Sequence, residues 1–165
     1  MRLFIIILAF FLSSDLAAQY KLPYDSTAKL VVLKGTKPVD VRCKKKIMKA
    51  VHQWVNEKQV YPPLVMSTIH QSKHSIITKG VFEVPSKKGI HPLSFKLELT
   101  VGKKSIYYRF DNFYFEDISL SLEEWLKKYA EGNERNRENA NMVGKELDSY
   151  VFLSLQLLQN KINDQ

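Results

Sequence analysis

The chain has 165 residues, with 25 Lys and Arg against 17 Asp and Glu, a formal net charge of +8. A single cysteine, Cys43, excludes an internal disulfide framework. The glycine count of six, with no Gly-x-x-x-x-Gly-Lys, Gly-x-Gly-x-x-Gly or Gly-x-Ser-x-Gly run, excludes the common phosphate cradles and the nucleophile elbow.

In chain order, Arg2 precedes an apolar run from Leu3 to Leu12. Ser13, Ser14 and Asp15 break the run, and Leu16-Ala17-Ala18 offers small residues for cleavage. This is the layout of a secretory signal peptide over residues 1–18, and the run is shorter than the ~20 apolar residues that span a bilayer. The expected mature chain begins at Gln19 and is exported. One domain's worth of sequence follows, enough to bury a core without staples. Its basic balance favours acidic partners; in an exported protein those are lipid head groups and acidic glycans rather than nucleic acid.

Residues 19–27 read as a polar leader. Lys29 to Lys34 reads as a short strand and Gly35-Thr36-Lys37-Pro38 as a turn. From Arg42 to Lys58, Ile47, Ala50, Val51, Trp54 and Val55 fall at helical spacing, and Pro62-Pro63 forbids continuation. Cys43 lies at the start of that helix beside Lys44, Lys45 and Lys46, where a thiolate is favoured.

The period then changes to two. Leu64 to His70 and Ser75 to Val84 form an expected hairpin around Gln71-Ser72-Lys73. Pro85 to Pro92 reads as a loop. Leu93, Phe95, Leu97, Leu99 and Val101 alternate with Ser94, Lys96, Glu98 and Thr100, so one sheet face is buried and the other wet. A turn at Gly102-Lys103-Lys104-Ser105 leads into a strand from Ile106 to Glu116. Counting back from that turn sets Glu98 opposite Arg109 and Lys96 opposite Asp111.

Ser121 and Glu124 carry the Ser-x-x-Glu capping signature for a helix from Leu122 to about Glu131. Gly132 to Asn141 reads as loose and polar. A second helix spans Asn141 to Ile162, with Val143, Leu147, Tyr150, Val151, Ser154, Leu158 and Ile162 on one face and Leu153 and Leu157 widening it. The expected fold class is α+β: an antiparallel sheet of about five strands with helices on one face, in the order β-α-β-β-β-β-α, over residues 19–131. Residues 132–165 form a C-terminal helical extension packed on it.

The helix segment Ala50-Val51-His52-Gln53-Trp54-Val55, the segment Ile77-Thr78-Lys79-Gly80 and the aromatic strand Tyr107 to Phe113 carry a resemblance. So does the leader ending Leu-Ala-Ala-Gln. The chain resembles the exported bacterial domain-of-unknown-function 4468 family, with a TATA-binding-protein-like fold, over about residues 29–117. The resemblance implies a location in the Gram-negative envelope, brings no catalytic residue or cofactor, and does not import DNA binding.

Candidate chemistry is sparse. His70 and His74 flank a turn but have no third ligand near them in sequence. Cys43 and His52 stand about 13 Å apart along one helix, too far to couple. Asp111, Glu116 and Asp117 form the best carboxylate cluster; with a histidine they would make a hydrolase, the remotest reading. The leading reading is a non-catalytic module that binds an envelope macromolecule or a second copy through the open sheet face. Tyr107 and Arg109 face out there. A bulge at Asp111-Asn112 decides whether Phe113 and Phe115 do so too, as this reading takes them. The alternative is an anionic-ligand binder in which the loop lysines Lys87, Lys88, Lys103 and Lys104 converge with Lys44 to Lys46.

Overall fold

The computed structural model describes residues 21–57, 64–87 and 89–165. The expected leader over residues 1–18, Pro62-Pro63 and Lys88 lie outside the described residues. The elements are β1 (Tyr24–Asp25), β2 (Leu30–Val31), β3 (Leu33–Pro38), α1 (Lys44–Asn56), β4 (Leu64–Gln71), β5 (Ser75–Ser86), β6 (Gly89–Val101) and β7 (Ser105–Phe115). They are followed by β8 (Leu120–Ser121), α2 (Leu122–Ala130) and α3 (Glu134–Asn163). The five long strands pair antiparallel in the order β3-β7-β6-β5-β4; β8 adds to the end of β7, and β1 and β2 form a separate small ribbon.

Alternation builds the core. Leu93, Phe95, Leu97, Leu99 and Val101 of β6 are buried beside Ile76, Phe82 and Val84 of β5 and Ile106 and Phe110 of β7. The rings of Phe82 and Phe95 stack with centroids 4.5 Å apart, and Phe110 lies 5.2 Å from Phe95. On α1 the stripe Ile47, Ala50, Val51, Trp54 and Val55 is buried, as its spacing predicts. Ser121 caps α2 with a complete capping box to Glu124. On α3, Val143, Leu147, Tyr150, Val151, Ser154, Leu158 and Ile162 are buried as expected, whereas Leu153 is half-buried and Leu157 exposed and neither widens the face. The three helices described join the core on one side of the sheet, so among the described residues the other side carries no helix.

The register of the β6–β7 hairpin is the counted one: Glu98 opposite Arg109 and Lys96 opposite Asp111. It then shifts. Ser94 pairs with Tyr114, leaving one extra residue on β7, and Asn112 takes the left-handed backbone at φ 55°. This bulge corrects the outward placement of Phe113 and Phe115. Both are 1% exposed, because one inserted residue exchanges the two faces of everything downstream. Phe113 then packs on Phe95, and Phe115 on Trp125.

Three further expectations are corrected. Pro85 to Pro92 is not a loop: Pro85 and Ser86 end β5 and pair with Ile90 and Gly89 at the start of β6. Gly35 to Pro38 is not a turn but part of β3, paired with Tyr108 to Ser105. A Cβ at Gly35 would stand 2.6 Å from the Tyr108 hydroxyl, so the glycine answers a close approach. Pro38 ends an edge strand, where its missing N–H leaves no ladder bond open. Residues 134–141 are helical rather than loose. Asn133 caps α3 by accepting the Asn136 N–H, and the first turns are tied to the β5–β6 connection, where the buried Asn139 accepts the Lys87 N–H at 2.9 Å.

Candidate binding surfaces

The helix-free face of the sheet presents alternate residues of each strand. On β7 these are Tyr107, Arg109, Asp111 and, past the bulge, Tyr114. Lys34 and Thr36 flank them on β3, and Lys96, Glu98 and Thr100 on β6. Tyr107 and Tyr114 are 54% and 41% exposed. Between them, Arg109 Nε donates to Asp111 Oδ2 at 2.5 Å. Lys96 is the cross-strand neighbour of Asp111, but Arg109 is the cation that holds it. Asp111 is 5% exposed, and its other oxygen has no hydrogen-bond partner among the described residues. The hydrogen bond that Arg109 donates to Asp111 raises the Arg109 pKa above its ordinary value. The carboxylate therefore fixes the guanidinium and leaves its terminal nitrogens available for bidentate recognition. Along β3, β6 and β7 the face is polar and charged with two exposed tyrosines; toward β4 it also carries the exposed Val65, paired with Val81.

The loop lysines divide. Lys103 and Lys104 stand with Arg42 and Lys44 around one open depression of about 530 Å³ at the N-terminus of α1. The Val39 N–H donating to the Lys104 carbonyl at 3.0 Å fixes the β6–β7 turn against the segment that leads into the helix. None of these four cations joins an ion pair among the described residues, and the first turn of α1 holds no acidic residue. Lys87 does not converge with them. It precedes β6 whereas Lys103 follows it, and at ~3.3 Å per residue the strand ends are roughly 40 Å apart. Lys87 instead forms an ion pair with Glu138, and that hydrogen bond lowers the Glu138 pKa.

Cys43 is the N-cap residue of α1 and is exposed. Its side chain makes no formal capping bond. The backbone N–H groups of Lys46 and Lys45 nevertheless act on the sulfur and, with the charges of the same lysines, hold the thiol below its ordinary pKa. This is the helix-terminus effect read from the sequence.

The carboxylates proposed for hydrolysis are divided among three partners. Asp111 pairs with Arg109, Glu116 with Lys79 at 3.7 Å, and Asp117 with His91 at 2.5 Å. The His91–Asp117 pair escaped sequence reading because 26 residues separate its members. Its imidazole also stands edge-on to Phe115. His70 is exposed on β4, and the His74 Nδ1 is buried with no hydrogen-bond partner among the described residues. Among those residues no group of three or more His, Cys, Asp or Glu is arranged to hold a metal ion.

The chain has an α+β fold of the TBP-like kind. It is similar to the crystal structure of a TBP-like protein from Parabacteroides distasonis ATCC 8503, with a TM-score of 0.57 and 11% identity over 79% of this chain and 94% of that one. It is also similar to that of a DUF4468 family protein from Bacteroides ovatus ATCC 8483, with a TM-score of 0.61 and 12% identity over 83% of this chain and 89% of that one. The resemblance read from the sequence is thus found again in the fold, and at these identities the likeness is one of fold. No family model and no curated protein matches the sequence.

Proposed function

We propose that the protein is an exported, non-catalytic binding module of the cell envelope that takes a macromolecular partner on its helix-free sheet face. Export rests on the leader pattern of residues 1–18. The observation that carries the binding role is Arg109, held by the buried Asp111 and set between the exposed Tyr107 and Tyr114 on an uncovered face. Tyrosine and arginine are the residues that dominate binding energy at interfaces. A photo-crosslinking residue in place of Tyr107, introduced in the native host, is expected to give a discrete adduct. A doubled mass identifies a second copy, and another increment an envelope macromolecule. The same residue in place of Lys145, exposed on α3, is expected to give none. Equal yields at both positions, or no adduct at Tyr107, would overturn the reading.

A second reading is favoured by one specific observation, the convergence of Arg42, Lys44, Lys103 and Lys104. In it the depression at the start of α1 receives an anionic head group. Co-sedimentation with anionic phospholipid vesicles is expected to fall steeply as salt screens the cluster. It should weaken in Lys103→Ala/Lys104→Ala and not in Lys87→Ala. Salt-indifferent binding excludes this reading.

A further inference from the structure

The arm before β1, the strand β2, the helix α2 and the first turns of α3 enclose a half-open cavity of about 500 Å³. Its wall is apolar: Leu22, Val31, Leu126, Ala140 and Gly144, with Tyr24 at the rim. The space has a local cause. Ala140, Gly144, Leu147 and Val151 lie on one stripe of α3. Leu147 and Val151 fill the core with their side chains, whereas Ala140 and Gly144, both buried, have almost none to offer. The volume falls within the ~300–1,000 Å³ of small-molecule sites.

Four charged residues surround the opening, and they are not equivalent. Glu123 is occupied, its Oε1 accepting the Val31 N–H at 2.6 Å. Glu124 is occupied too, accepting from both the backbone and the hydroxyl of Ser121 in the capping box. Lys21 and Lys127 are exposed and join no ion pair among the described residues. Both carboxylates keep their charge but are committed to holding β2 and the start of α2, so the groups left to reach a ligand are the ammonium groups of Lys21 and Lys127.

We propose that this cavity binds a medium-chain carboxylic acid, its alkyl chain against Leu22, Val31, Leu126 and the Ala140–Gly144 wall and its carboxylate at Lys21 and Lys127. The site is separate from the sheet face and from the depression at α1, so its test is independent of theirs.

The test is titration calorimetry of the full mature chain with decanoate, and with decanol as the uncharged analogue. Decanoate is expected to bind at one per protein. Gly144→Leu, which fills the cavity, is expected to weaken it about tenfold or more while leaving the thermal unfolding midpoint at or above that of the wild type. Ala140→Leu serves as the second filling variant should the first fail to fold. Lys21→Ala/Lys127→Ala is expected to weaken decanoate and leave decanol unchanged. No heat of binding from decanoate would overturn the proposal, and so would undiminished binding by a folded, cavity-filled variant. Equal affinity for decanol and decanoate would overturn the role given to the lysines.

Discussion

Gly80 stands in tighter surroundings than Gly35, the other glycine paired within a strand interior. A Cβ at Gly80 would stand 2.4 Å from Phe95 Cζ and 3.0 Å from Met66 Cγ, and the Phe95 ring is itself stacked on Phe82 and packed against Phe110 and Phe113. Gly80→Ala is therefore expected to destabilise the protein by about 1–3 kcal/mol, as overpacking does, measured by urea unfolding. Gly35→Ala is expected to act in the same direction but more mildly, since the Tyr108 hydroxyl it meets lies at the end of a half-buried side chain. Cys43 gives a prediction of another kind. Because the fold lowers its pKa, the unfolded chain binds more protons in the window just below the ordinary thiol pKa of 9.0, and stability rises with pH across that window. The direct readout is alkylation by iodoacetamide against pH. The midpoint is expected below that of the urea-unfolded chain, and coincident midpoints would contradict the capping geometry. These residues also show how sequence signals mislead. Gly35 and Pro38 are turn formers in composition, and only the paired strand reveals that one makes room for a tyrosine and the other closes an edge.

Among the elements, the most legible were those with one unbroken period. Leu93 to Val101 alternates because a single face is covered, and α1 repeats at helical spacing because a single stripe packs. The capping box of α2 was equally legible, being local: Ser121→Ala is expected to cost about 0.5–2 kcal/mol by chemical denaturation, and Glu124→Ala is expected to cost stability as well. The start of α3 was not legible. Glu134 to Asn141 has little apolar content, and what holds it is distant in sequence: the Lys87 N–H on Asn139 and the ion pair of Lys87 with Glu138. Asn139→Ala is accordingly expected to fray the first turns of α3, read as faster amide exchange there than in the turns around Leu155.

At the level of the whole molecule, α3 is a wall of the core rather than an appendage. Val143, Leu147, Tyr150, Val151, Leu155, Leu158 and Ile162 are buried in the same cluster as the sheet and α1, and Tyr150 packs on Phe82. A chain ending at Glu131 is expected to show no cooperative thermal transition, whereas two independent units would leave residues 19–131 folded. The candidate sites were legible only in part, for the same reason of scale. The outward placement of Tyr107 and Arg109 follows from alternation, and the link from Arg109 to Asp111 lies within one strand. The meeting of Arg42 and Lys44 with Lys103 and Lys104 needs the hairpin turn brought to the start of α1. The cavity beside Gly144 is written as missing side-chain volume, which no periodicity records.

The bulge at Asn112 gives β7 a change of parity. Upstream of it, odd-numbered residues lie on the helix-free face and even-numbered ones on the core face; downstream the assignment is reversed. One continuous ribbon can thereby serve two masters, holding Tyr107, Arg109 and Asp111 outward while lodging Phe110, Phe113 and Phe115 inward. The boundary between recognition and packing is thus drawn across the length of a strand, at a residue that itself belongs to neither.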